Sequence, residues 1–162
     1  MQKIKRIIIG SDHAGFALKE KLKVYLKNLD IVVKDIGTYS QKSCDYPDFA
    51  ASVAGAVASS RFKRGILICK SGIGNSIVAN RFPNVRAALC YNAQVARLSR
   101  EHNDSNVLVL GSSFVNETSA RDILKVWLNT EFQGARHTRR LNKIKKIEAQ
   151  IRREKSEVYK SC

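Results

Sequence analysis

Short apolar runs alternate with amphipathic helical stretches along most of this chain. Five runs predict strands: KIKRIIIG (3–10), IVVKDIG (31–37), GILIC (65–69), VRAALC (85–90) and NVLVLG (106–111). The intervening stretches predict helices over 15–29, 46–60, 76–81, 93–102 and 118–129, with Pro47 in the first turn of the second. Because β and α units alternate with short connections, we predict an α/β fold: a Rossmann-like, doubly wound, five-stranded parallel sheet with helices on both faces.

A C-terminal helix follows these units. From residue 140 onward the sequence is highly charged, but four apolar residues recur at steps of three and four on one helical face: Leu141, Ile144, Ile147 and Ile151. The chain of 162 residues is long enough for one domain with its own core. The apolar stripe therefore predicts a contact surface, and a partner subunit is a candidate to cover it.

The net charge of +15 raises the question of nucleic-acid binding. Residues 136–162 contain ten Lys and Arg against three Glu, and the remaining excess is spread over the rest of the chain. No aromatic residues are interleaved with these cations in the way that a nucleic-acid groove requires. The distribution therefore argues against a dedicated nucleic-acid partner.

Targeting signals and cysteine spacing bear on where such a chain works. No apolar stretch approaches the roughly 20 residues needed to span a bilayer, and the first apolar run belongs to a predicted strand rather than to a signal peptide. The four cysteines, at 44, 69, 90 and 162, form no CxxC pair and no metal-binding spacing with the three histidines. We expect a cytoplasmic protein with no membrane contact, reduced thiols and no metal site.

The stretch GILICKSGIGNS, residues 65–76, is the strongest functional signal. It predicts a buried strand that ends at Cys69 and turns through Gly72 and Gly74 into a helix. In open α/β sheets ligands bind at the carboxyl ends of the strands, and helix N-termini favour anions. Other polar residues follow neighbouring strands: Ser11, Asp12 and His13, then Gly37 and Thr38, then Lys70 and Ser71, then Cys90 and Tyr91. Together they predict an acid/base site beside an anion cradle.

Simpler roles for these residues stay open at this point. Cys69 could be a buried structural thiol, Asp12 could cap the helix that follows it, and His102 could be a favourable cation at a helix C-terminus. Three known glycine-loop motifs fit poorly. A dinucleotide fingerprint would need glycine or alanine at Ile77, a P-loop would need a Gly-Lys-Ser/Thr ending, and a phosphatase loop would need arginine at Asn75.

Six separated motifs resemble, in order, those of the type B ribose-5-phosphate isomerases, within the wider family that includes galactose-6-phosphate isomerase subunits. The motifs are GSDHAGFALK, DIGTYS, DYPDFA, GILICKSGIGNSIVANRFPNVRAALC, SREHNDSNVLVLG and GARHTRR. The likeness runs from about Ile7 to Glu148. It predicts a sugar-phosphate isomerase domain over 1–148 and a basic C-terminal helical extension over 149–162.

The resemblance implies an aldose–ketose isomerase that opens the sugar ring and passes through an enediolate without metal or organic cofactor. Cys69 is implied as the base at C2, and His102 as the acid/base for ring opening, aided by Asp12. The oxyanion cradle is implied to consist of Ser71 and the backbone N–H groups of Gly72, Ile73 and Gly74. The family also implies a homodimer, or a dimer of dimers, with sites that draw on both subunits.

The same resemblance implies how substrate is held. Tyr46 and Asn103 would bind sugar hydroxyls, and the phosphate would be held by His13, Arg136, His137 and Arg140. Lys70 stands where the family usually has glycine and would add a cation to the phosphate side. Ser113 replaces a third phosphate arginine of relatives, and Asn75 replaces the glutamate base of members that lack the cysteine.

Two other functions remain as alternatives to an isomerase of ribose 5-phosphate and ribulose 5-phosphate. One is an isomerase for a six-carbon sugar phosphate, such as allose or galactose 6-phosphate. The other is a non-catalytic basic binding protein on the same fold. The presence of Cys69, His102 and Asp12 in one chain favours an enzyme, because a binding protein needs no base.

Overall fold

The computed structural model describes residues 4–160, and the side chains of residues 4–154. Its strands are β1 (Arg6–Ser11), β2 (Val32–Asp35), β3 (Gly65–Cys69), β4 (Ala87–Leu89) and β5 (Val107–Gly111). Its helices are α1 (Phe16–Lys27), α2 (Tyr46–Ala58), α3 (Ile73–Ala79), α4 (Ala93–Glu101), α5 (Glu117–Asn129) and α6 (Arg136–Lys160). The strands form one parallel sheet in the order β2-β1-β3-β5-β4. The predicted doubly wound architecture is confirmed.

The two faces of the sheet carry separate apolar cores. Successive side chains of a strand point to opposite faces, so Ile7 and Ile9 pack with α1, α4 and α5, whereas Ile8 packs with α2 and α3. Trp127 of α5 is fully buried in the first core. The central strands β3 and β5 are buried at every position, which accounts for their continuous apolar sequence.

The chain reverses its winding between β1 and β3. These strands are neighbours, but β1 leads into α1 on one face and β3 leads into α3 on the other. Such a switch point opens a crevice at the carboxyl edge of the sheet, between the two loops. The two loops approach closely, because a side chain at Gly15 would collide with the carbonyl of Ile68.

Two helices begin earlier than the sequence predicts. Helix α3 starts at Ile73 rather than at 76, because Gly72 takes the left-handed conformation (φ +80°) and turns the chain directly into the helix. Helix α6 starts at Arg136 rather than at 140 and runs unbroken through residue 148. The predicted boundary between domain and extension therefore lies within α6 and stays a prediction.

The apolar stripe of α6 divides between two environments. Leu141 is buried against the body of the domain, whereas Ile144, Ile147 and Ile151 are about half exposed. The backbone N–H of Asn84 donates to Glu148, so α6 lies along the side of the molecule where β4 begins. Within the described part of the chain, no helix is both long and apolar enough to cross a membrane.

Candidate active site

Cys69 occupies the end of β3 and faces the turn that starts α3. Its Sγ accepts a hydrogen bond of 3.1 Å from the backbone N–H of Gly72, and the side chain is 4% exposed. The hydroxyl of Ser71 accepts a bond of 3.3 Å from the N–H of Ile73. The turn therefore directs backbone N–H groups at the sulfur of Cys69 and at the neighbouring hydroxyl.

The loop after β1 is tied to the loop after β3. The N–H of Asp12 donates to the carbonyl of Ile68 (3.3 Å), and Oδ1 of Asp12 accepts from the N–H of Gly15 (2.9 Å). Ser112, which follows β5, bridges the two loops: its N–H donates to the carbonyl of Cys69 (2.9 Å) and its hydroxyl to that of Ala14 (3.0 Å). Asp12 thus helps to shape the turn before α1 while lying beside Cys69 in the crevice.

His13 and Tyr46 form the next side of the crevice. Nδ1 of His13 bonds to the backbone of Cys44 at 3.1–3.2 Å, which leaves Nε2 as the ring nitrogen for a ligand. Tyr46 begins α2, and its ring lies so close to Gly74 that any side chain there would collide with it. The predicted residues of the carboxyl edge therefore form one cluster: Asp12, His13, Tyr46, Cys69, Lys70, Ser71, Gly72, Ile73 and Gly74.

The remaining predicted residues form a second cluster around His102, the C-cap of α4. The His102 ring stacks on His137 of α6, with 4.3 Å between centroids and 7° between planes. Nε of Arg136 donates to Nε2 of His137 (3.3 Å), while Arg140 follows one turn later. Burial, followed by the charges of His102, Arg136 and Arg140, lowers the pKa of His137, which favours its neutral form.

These two clusters lie at opposite edges of the sheet. Asn103 and Ser105, just after His102, accept hydrogen bonds from Arg86 and Arg64, which directly precede β4 and β3. The His102 cluster is therefore at the amino edge. A strand of five residues separates that edge from Cys69, or about 13 Å at the usual rise per residue. His102 and Cys69 of one chain are therefore too far apart to contact the same pair of bonded atoms.

Comparison with known proteins identifies the family of this chain. The family model described as Ribose/Galactose Isomerase matches residues 7–144. The chain belongs to the ribose/galactose isomerase family. It is 43% identical over 145 residues to ribose-5-phosphate isomerase B of Escherichia coli, an alignment that covers 90% of this chain and 97% of that protein.

Solved structures of this isomerase family share the fold. Ribose-5-phosphate isomerase B of Clostridium thermocellum is 49% identical with a TM-score of 0.88, covering 90% of this chain and 99% of that one. The Mycoplasma genitalium enzyme, solved with bound ribulose-5-phosphate, is 40% identical with a TM-score of 0.85, covering 89% and 96%. The predicted family resemblance is confirmed.

Positions that depart from the isomerase pattern are accommodated in the cradle. Lys70 is exposed and is not among the left-handed residues of the described chain, so the positive φ of this turn is at Gly72 instead. The N–H of Ser113 donates to the carbonyl of Lys70 (3.0 Å), which ties this serine to the cradle through its backbone.

Sequence reasoning missed Ser112 and did not foresee the surroundings of Asn75. Ser112 joins the loops after β1 and β3, and its position just after β5 could have signalled this role. Asn75, 1% exposed in the first turn of α3, has no hydrogen-bond partner for either side-chain polar atom within residues 4–154. The described residues also contain no group of His, Cys, Asp and Glu that could hold a metal ion.

Proposed function

We propose that this chain interconverts D-ribose 5-phosphate and D-ribulose 5-phosphate, and that it works as a homodimer with two shared active sites. The observation that carries this proposal is the hydrogen bond from the Gly72 N–H to the thiol of Cys69, in a chain whose relatives are named ribose-5-phosphate isomerase B. A base beside an anion cradle matches the needs of an aldose–ketose isomerisation.

The proton transfer takes place at the carboxyl edge. Cys69, as thiolate, removes the proton from C2 of the open-chain aldose, and the electrons move to the carbonyl oxygen at C1. The N–H groups of Ile73 and Gly74, with the Ser71 hydroxyl, hold the negative oxygen of the enediolate. Transfer of the hydroxyl proton from O2 to O1, with return of the proton from Cys69 to C1, gives the ketose and regenerates the thiolate.

Ring opening is assigned to His102, with Asp12 assisting. A cyclic sugar opens when a proton leaves the anomeric hydroxyl and another reaches the ring oxygen, and an imidazole can carry out both transfers near neutral pH. Stacking on His137 fixes the plane of the His102 ring. Because His137 is 2% exposed, its proposed role in this chain is to orient His102 and Arg136.

Substrate contacts are divided between the two edges. His13 Nε2 and Lys70 approach the phosphate from the carboxyl edge, and Tyr46 approaches the sugar hydroxyls. Arg136, Arg140 and Asn103 are exposed at the amino edge and supply the remaining contacts. A guanidinium group can hold a phosphate dianion through paired hydrogen bonds.

A two-fold dimer brings the edges together. If the amino edge of one chain meets the carboxyl edge of its partner, symmetry makes the reverse contact as well and completes two sites. Each edge also has exposed apolar side chains to bury in this contact. They are Ile73, Tyr91 and Phe114 at the carboxyl edge, and Ile144, Ile147 and Ile151 on α6.

The proposed chemistry also bears on compartment and partners. Cys44, Cys69 and Cys90 are free thiols, and a catalytic thiol is maintained in a reducing compartment, so we place the activity in the cytoplasm. Cys162 lies outside the described residues. The mechanism uses no cofactor, and the absence of a dedicated nucleic-acid partner stays a prediction.

Relative turnover of two aldose phosphates tests the proposed substrate. We expect kcat/KM for ribose 5-phosphate to exceed that for allose 6-phosphate by about tenfold or more, because the longer sugar must place one more CHOH group in a closed site. Initial rates of ketose formation by the purified protein provide the measurement. Faster turnover of allose 6-phosphate would assign the chain to six-carbon substrates. No turnover of either sugar would favour the non-catalytic binding protein.

A further inference from the structure

A cavity lies at the amino edge of the sheet, beside the end of α2. Its volume is about 380 Å³, within the roughly 300–1,000 Å³ of small-molecule sites. Four cations line it, with a single carboxylate: Lys63, Arg64, Arg86 and Lys145, against Asp104. This lining has a net charge of +3, so the cavity is complementary to an anion of more than one charge.

The carboxylate of Asp104 is already shared among three arginines. It lies 2.8 Å from Arg86, 2.6 Å from Arg100 and 4.0 Å from Arg64. One negative charge therefore faces three guanidinium groups, of which those of Arg64 and Arg100 are only 13% and 4% exposed. Buried charges require compensation, and this cluster is short of negative charge.

The lack of negative charge in this cluster is clearest at Arg64. Its NH1 group donates to the carbonyl of Ser105 (3.0 Å), but its buried Nε has no hydrogen-bond partner within residues 4–154. Burial, and next the charge of Arg100, lower the pKa of Arg64 to about 10. An anion in the cavity would counter the repulsion from Arg100 and favour the charged form of Arg64.

Lys145 reaches the cavity from α6, whereas the arginines belong to the body of the domain. It stands four residues after the buried Leu141 and three before Glu148, which bonds to Asn84, so it lies on the face of α6 directed at the body. Glu148 lines the adjoining depression instead of this cavity. An anion here would join α6 to the starts of β3 and β4.

We propose that this cavity is a binding site for a diphosphate group, held by Arg64 and Arg86 from the body and by Lys145 from α6. The two guanidinium groups supply positive charge from the body, and the lysine adds a point charge from α6. The lining residues of this cavity are distinct from the residues assigned to catalysis and to substrate binding, so the proposal does not rest on the isomerase activity.

Calorimetric titration with inorganic pyrophosphate, at constant ionic strength, tests the site. Lys145→Gln removes one wall charge from an exposed position of α6. Lys143→Gln is the matched control, because Lys143 is exposed on the same helix, carries the same charge and does not line the cavity. We expect Lys145→Gln to weaken pyrophosphate binding about tenfold and Lys143→Gln to change it less than twofold.

Two outcomes would overturn the proposal. One is an isotherm that is unchanged in Lys145→Gln. The other is an equal loss in both variants, which would mean that pyrophosphate responds only to the overall charge of the chain. Circular dichroism of both variants checks that α6 keeps its helical content, so that a difference between them reports the cavity.

Discussion

Replacing Cys69 by alanine is expected to lower kcat for ribose 5-phosphate by about 10²- to 10⁴-fold, the usual cost of losing a general base. Asn75 in the first turn of α3 cannot take over this role, because its amide does not accept a proton at neutral pH. The fold should persist, since removal of one buried sulfur costs about 1 kcal/mol. Steady-state rates and thermal unfolding of the variant give the two measurements.

Two further variants separate chemistry from packing. Cys69→Ser keeps an acceptor for the Gly72 N–H but is a much weaker acid, and it should be about as slow as the alanine variant. Cys90→Ala removes another buried thiol, one whose pKa burial raises to about 11, and it should keep kcat within a few-fold. Near-normal turnover by Cys69→Ala would mean that another group is the base.

His102→Asn is expected to slow ribose 5-phosphate by about 10²-fold while slowing a substrate that is already open by less than tenfold. A four-carbon aldose 4-phosphate serves as that substrate, because its phosphorylated O4 cannot close a five-membered ring. Asparagine keeps a hydrogen-bonding group but cannot exchange protons near neutral pH. The ratio of the two kcat losses is the measurement, and each substrate acts as the control for the other.

Equal losses on the two sugars would contradict the ring-opening role. In that case His102 would serve the isomerisation step or the position of the sugar. A large loss confined to KM would instead assign it to binding. If His102 only oriented the sugar through its stack on His137, the substitution would slow both substrates alike.

Most of the sheet was predictable, because buried parallel strands have an unmistakable pattern. The runs that became β1, β3 and β5 are continuous in Ile, Leu and Val, and the helices between them are amphipathic. The start of α6 was not predictable in the same way. Residues 136–139 are polar at every position, so the apolar repeat begins only at Leu141, one turn inside the helix.

The carboxyl-edge half of the site was also predictable, because a parallel sheet brings its strand ends to one edge. That rule placed Asp12, His13 and Cys69 together. The rule does not place His102. Its position at the amino edge depends on where α4 ends and on where α6 packs against the domain. Nor could it reveal Asn75, since whether a buried amide finds a partner depends on packing in three dimensions.

Subunit complementation tests most directly whether each active site is built from the two edges of different chains. Cys69→Ala and His102→Asn, with different affinity tags, are co-expressed and the hybrid dimer is isolated through both tags. In a shared-site dimer one site carries both substitutions and the other carries neither, so ribose 5-phosphate should be turned over at about half the wild-type rate per dimer, far above either parent variant. A hybrid as inactive as its parents would show that Cys69 and His102 act within one chain and would contradict the account.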